Sequence, residues 1–130
     1  MAERHGDLGR WIRLSADYAW DPRIMRIRPA AELLYLRTLA ASRAHESDGH
    51  VAREWLAALT RGFDARTAQR AVNDLVSEGL WEPCDDGWRV PYERWARWQD
   101  TNDDRAAQRE NERKRKAAWR ARKALEGENG

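Results

Sequence analysis

Cysteine occurs once in this chain of 130 residues, at Cys84, which excludes an internal disulfide and a cysteine-rich zinc site. The three histidines, His5, His45 and His50, are scattered without the spacing of metal ligands. No apolar run approaches the roughly 18 residues of a membrane span. The opening residues, Met-Ala-Glu-Arg-His-Gly, lack the apolar stretch of a signal peptide, so the expectation is a cytoplasmic protein without membrane contact. A Gly-rich phosphate loop, a nucleophile elbow, a metal constellation and a Cys–His pair are all missing from the sequence. Asp85-Asp86 is a pair of carboxylates, but a turn tip offers no burial to shift a pKa, and turn chemistry explains both. These absences argue against an enzyme and call for no cofactor and no metal.

Phenylalanine occurs once and methionine twice, whereas tryptophan occurs eight times. The simpler reading is that large indole rings fill a core short of other bulky side chains. The other is an exposed aromatic platform on which bases stack. The length suits one domain with an appendage. The net charge of +2 conceals an asymmetry: residues 1–112 hold 17 Arg and 20 acids, whereas residues 113–123 hold seven cations and no acid. A faintly acidic body thus carries a basic tail.

The organising stretch runs from Asp64 to Pro91. Ala68, Val72, Leu75 and Val76 recur at helical spacing, with Arg66, Arg70, Asn73, Asp74 and Ser77 opposite them. Asp64 is placed to cap this helix and Gly79 to end it. Asp86-Gly87 then marks a tight hairpin across residues 80–91. Upstream, Trp11-Ile12-Arg13-Leu14 alternates like a short edge strand. Asp21-Pro22 opens a short helix through Arg26. Residues 29–43 form a helix apolar nearly all round, hence a central core helix. Asp48-Gly49 is a turn, His50-Val51 a third short strand, and Ala52 to Leu59 a helix with Trp55, Leu56 and Leu59 on its inner face. Gly62 gives the left-handed backbone of a helix-turn-helix corner, which Phe63 plugs. Tyr92, Trp95 and Trp98 fold back over the core. Trp55, Phe63, Val72 and Leu75 are expected in that core. Thr101 or Asn102 caps a last helix reaching Glu126, in which Glu110–Lys114 and Glu112–Lys116 are favourable pairs. The fold class is therefore mainly α with a small β-hairpin. Residues 1–100 make a winged helix-turn-helix, and residues 101–130 make a basic helical tail that is partly flexible.

Several of these pieces resemble small winged-helix proteins of actinobacterial phages and prophages, similar to the N-terminal domains of phage replisome organisers and replication initiators. They are Trp11 to Leu14 followed by Asp21-Pro22, Asp48-Gly49-His50-Val51, Gly79-Leu80-Trp81-Glu82, Gly87-Trp88-Arg89-Val90, and Trp95 to Thr101 leading into an Arg-rich tail. The resemblance covers residues 11–123 and implies a DNA-binding or replication protein. The function expected is DNA binding in replication initiation or transcription control.

Two candidate surfaces follow. Arg66, Thr67, Arg70 and Asn73 face outward on the second helix of the motif, with Arg61 in the turn before it. Arg and Asn are the side chains that read guanine and adenine edges in the major groove. Asp64, Asp74 and Glu78 favour instead an ordinary solvated face. The hairpin tip Asp85-Asp86-Gly87 is acidic, with Arg89 its only cation, and should be repelled by phosphate. In the tail, Arg113, Lys114, Arg115, Lys116, Arg120, Arg122 and Lys123 surround Trp119. They suit sequence-independent phosphate binding, with a solubility tail, an RNA or membrane-surface contact and an acidic protein partner as the other readings. The expected partner is nucleic acid, duplex DNA first, and after it a replication protein. In a second functional class the winged helix docks an initiator or helicase as a protein-interaction module. Either a monomer or a homodimer fits.

Overall fold

A computed structural model describes residues 10–129. His5 and the opening segment lie outside the described residues. The chain divides into two compact units, residues 1–99 and residues 100–130. The first is mainly helical around a small three-stranded antiparallel sheet, and the second is one long helix. No helix among the described residues is long and apolar enough to cross a membrane.

In the first unit Asp21 caps α1 (Pro22–Met25): its Oδ1 accepts from the Arg23 N–H at 2.9 Å, and Pro22 supplies a helical φ at the first position. Pro29 opens α2 (Pro29–His45) in the same way. The inward residues of α2, from Ala31 through Leu34, Tyr35, Thr38, Leu39, Ser42 and Arg43, form a stripe at three- and four-residue spacing. Leu33 is exposed, so α2 is a one-sided core helix rather than one buried all round. Its end is stitched by hydroxyls. The Gly49 N–H donates to Ser42 Oγ at 2.6 Å, and Ser42 Oγ lies 2.7 Å from Ser47 Oγ, which turns the chain into β1 (His50–Ala52).

Ala52 is held in the sheet opposite Gly87, so the helix expected over 52–59 starts one residue later, as a 3-10 turn at Arg53–Trp55 that runs on into α3 (Leu56–Leu59). Next comes α4 (Ala65–Ser77), whose cap Asp64 accepts from the Thr67 N–H at 2.7 Å. Its Ala71, Val72 and Leu75 are buried where α4 packs on α2. Then follow β2 (Glu82–Cys84), β3 (Gly87–Arg89) and α5 (Tyr92–Trp98). The sheet order is β1-β3-β2, so the third strand expected at His50-Val51 is present beside the hairpin. The reversal itself is at Asp85-Asp86, one residue earlier than Asp86-Gly87, and Gly87 begins β3. At Gly87 φ is +154°, and a Cβ there would stand 2.1 Å from the Val51 carbonyl oxygen. Only glycine lets the turn lie against β1, where the Arg53 N–H donates to the Asp86 carbonyl at 2.9 Å.

Trp11 to Leu14 is not a strand. The Gln99 side chain takes the place of a neighbouring strand: its Oε1 accepts from the Arg13 N–H at 3.0 Å and its Nε2 donates to the Arg13 carbonyl at 2.7 Å. One buried amide thus satisfies the backbone that a ladder would otherwise pair. The tryptophans also depart from expectation. Trp81 and Trp95 are fully buried and Trp55 and Trp88 half-buried, but Trp11, Trp20, Trp98 and Trp119 are exposed. Trp95 alone of the three α5 aromatics covers the core, because seven residues of helix present only one full face to it. Val72 and Leu75 are core as expected, whereas Trp55 and Phe63 are half-buried at its margin.

In the second unit α6 (Asn102–Asn129) begins with a reciprocal cap. The Asp104 N–H donates to Thr101 Oγ1 at 3.1 Å, and the Thr101 N–H donates to Asp104 Oδ2 at 2.9 Å. These bonds hold the Asp104 carboxyl below its ordinary range, the Thr101 N–H foremost.

Candidate nucleic-acid interface

The corner before α4 is built by α2. Arg37 Nη1 donates to the carbonyls of Leu59 at 2.9 Å and Arg61 at 3.0 Å, satisfying acceptors left open at the end of α3. Its guanidinium also lies 5.5 Å from the centre of the Phe63 ring. Phe63 therefore closes the corner from its edge, and Gly62 takes φ +88° to let the chain reverse. Arg61 folds back along its own turn, its Nη1 donating to the Ala58 carbonyl at 3.0 Å.

On α4, Arg66, Arg70 and Asn73 are exposed and Thr67 is half-buried. Asn73 Oδ1 accepts from Gln69 Nε2 at 3.0 Å, which orients its amide along the helix. The Arg66 and Arg70 guanidinium groups carry no ion pair or side-chain hydrogen bond among the described residues. The acids of this segment all have partners. Asp64 is the cap, and the Thr67 N–H holds its carboxyl below the ordinary range. Asp74 meets Arg28 through both carboxylate oxygens, accepting from the backbone N–H at 3.2 Å and from Nη1 at 3.3 Å. Glu78 accepts from Arg26 Nε at 3.0 Å. Arg26 and Arg28 lie in the link between α1 and α2, a contribution that the periodicity of α4 alone does not reveal.

The hairpin tip is acidic, and Asp86 is held by His50, whose Nε2 stands 2.9 Å from Oδ1. That bond, more than any other contact, keeps the Asp86 carboxyl below its ordinary range. Beside the hairpin, Arg53 lies 4.9 Å from the centre of the Trp88 ring.

In the tail, Arg113 pairs with Glu110 and Arg115 with Glu112, three residues back, rather than Lys114 and Lys116 four residues on. Both spacings are neighbours on a helix, and the planar guanidinium fork meets a carboxylate through more donors than an ammonium does. Lys123 Nζ stands 5.7 Å from the centre of the Trp119 ring. All seven tail cations are exposed. Lys114, Lys116, Arg120, Arg122 and Lys123 have no ion pair among the described residues.

A separate cavity of about 560 Å3 opens between α1, α5 and the segment before α1. On its polar wall Arg94 donates to Tyr35 Oη at 2.8 Å and to Asp21 Oδ2 at 2.6 Å. Comparison with protein-family models, curated proteins and solved structures finds no match to the chain.

Proposed function

We propose that the chain is a winged helix-turn-helix protein that binds duplex DNA, with α4 reading base edges and the α6 tail gripping phosphate. The order of elements supports this: α2, strand, α3, turn, α4 and hairpin, with β1 and β2 flanking β3. One observation carries the reading. The acids that would repel phosphate from α4 are engaged by Arg26, Arg28 and the helix cap, while Arg66 and Arg70 remain exposed and make no ion pair or side-chain hydrogen bond among the described residues. Guanidinium groups on a packed helix have the geometry for bidentate contact with guanine. The tail adds a sequence-independent contribution, because neutralising phosphates releases counterions. The acidic hairpin tip stays clear of the backbone on this reading.

The role follows the resemblance: replication initiation or transcription control of a phage or mobile element, without catalysis. The acidic wing favours a second reading, in which the same domain docks a replication protein through it. Titration of the full chain with duplex DNA, single-stranded DNA and RNA at two salt concentrations separates the two. Duplex binding that weakens steeply with salt is expected. No binding to any of the three would leave the docking role.

A further inference from the structure

His50, Cys84 and Asp86 belong to β1, β2 and the hairpin turn, and 36 residues separate His50 from Asp86. The sheet brings them together. His50 stands opposite Arg89 and Cys84 opposite Gly87, two residues apart on β3, so the alternation of the pleat puts both side chains on one face. The turn, held against β1 through Gly87, adds Asp86. One donor atom from each of the three lies within 4.8 Å of the other two. Cys84 Sγ is 3.6 Å from Asp86 Oδ1, and His50 Nε2 is 2.9 Å from the same oxygen. A cavity of about 570 Å3 opens beside them, with Asp48 and Asp85 also on its wall.

We propose that His50 Nε2, Cys84 Sγ and an Asp86 carboxylate oxygen form a site for a divalent cation of the zinc class, with water in the fourth position. Zinc takes sulfur at about 2.3 Å and nitrogen or oxygen at about 2.0–2.2 Å, so a tetrahedral centre spaces its donors roughly 3.3–3.6 Å apart. The sulfur–oxygen separation already fits. The histidine–oxygen pair opens by roughly 0.4 Å, a small rotation for side chains at the surface. A thiolate, an imidazole and one carboxylate select zinc or cobalt over calcium and magnesium, which take oxygen. Binding replaces the Cys84 S–H bond by a sulfur–metal bond and releases that proton to solvent. The Nε2–H that bonds Asp86 is exchanged through solvent for the Nδ1–H tautomer of neutral His50, freeing Nε2 for the metal. The tip thereby gains one positive charge, and the metal ties β1 to the hairpin. The site stands independently of whether the tail or α4 meets nucleic acid.

Cobalt(II) titration of the full chain under a phosphine reductant tests this. A thiolate-to-cobalt absorption saturating at one equivalent is expected, with one proton released and with zinc displacing the cobalt. Cys84→Ser should abolish the absorption. His50→Ala and Asp86→Asn should each weaken binding at least about tenfold, as much as changes to outer-shell groups do. Zinc should also raise the Tm of the unaltered chain and leave that of His50→Gln unchanged, which reads the site even if a cysteine variant misfolds. No thiolate absorption at saturating cobalt would overturn the proposal. So would unchanged affinity in His50→Ala, which would mean a lone thiol, or displacement by calcium as effective as by zinc, which would mean carboxylates alone.

Discussion

Arg37, Arg94 and Arg70 carry the same guanidinium into three environments, and the neighbours decide what each does. Arg37 binds two carbonyls at the end of α3, and Arg94 binds Tyr35 and Asp21. Arg70 is exposed on α4. For Asp21, burial pushes the carboxyl up, but the Arg94 hydrogen bond, the Arg23 N–H and the Arg94 charge outweigh it and hold it below the ordinary range. A folded pKa below the unfolded one gives stability that is present above the unfolded value, about 3.9. It is lost as pH falls through the folded value. Urea melts of Asp21→Asn should therefore lose stability at neutral pH and show a flatter pH dependence below about pH 4 than the unaltered chain. Equal slopes would mean that the pair does not couple to folding. At Leu75, fully buried between α4 and α2, truncation to Ala should cost about 2–5 kcal/mol in the same melts, and Phe63→Ala less, since Phe63 is only half-buried.

At the scale of elements, helices with strong caps were legible in the sequence. Asp21-Pro22, Asp64 and Thr101 each start a helix where side-chain chemistry places the start. What depended on distant partners was not. The Trp11–Leu14 alternation reads as a strand, but a side chain 86 residues away satisfies its backbone. The later start of the helix expected over 52–59 comes from the pairing of Ala52 with Gly87, and the neutralised face of α4 comes from Arg26 and Arg28. His50 and Cys84 have no ligand spacing in sequence because the sheet, not a turn or a helix, makes them neighbours. Gly87 is the hairpin's test. Gly87→Ala drives a methyl into the Val51 carbonyl and should destabilise the fold by more than the roughly 1 kcal/mol of an ordinary glycine substitution, read as a lower Tm. On α4, Arg70→Ala should cost about 1–3 kcal/mol on a preferred duplex and little on random DNA, whereas equal losses on both would mean that the helix does not read sequence.

At the scale of the molecule, the proposed function divides the work of binding DNA between the tail and α4. Seven exposed cations on α6 carry charge without a fixed reading geometry, and α4 carries few charges held on a packed helix. Five tail cations on phosphate give a log-affinity against log-salt slope of about −4.5 on duplex DNA. Arg113 and Arg115 exchange glutamate for phosphate at little cost, since exposed ion pairs contribute about 0–1 kcal/mol, and all seven contacts would take the slope to about −6. The decisive measurement is that slope for the unaltered chain and for a variant in which Lys114, Lys116, Arg120, Arg122 and Lys123 are all changed to Gln. The account predicts a steep slope that flattens by about 4.5 in the variant, with the preference between duplex sequences kept. An unchanged slope and affinity in the variant would contradict it.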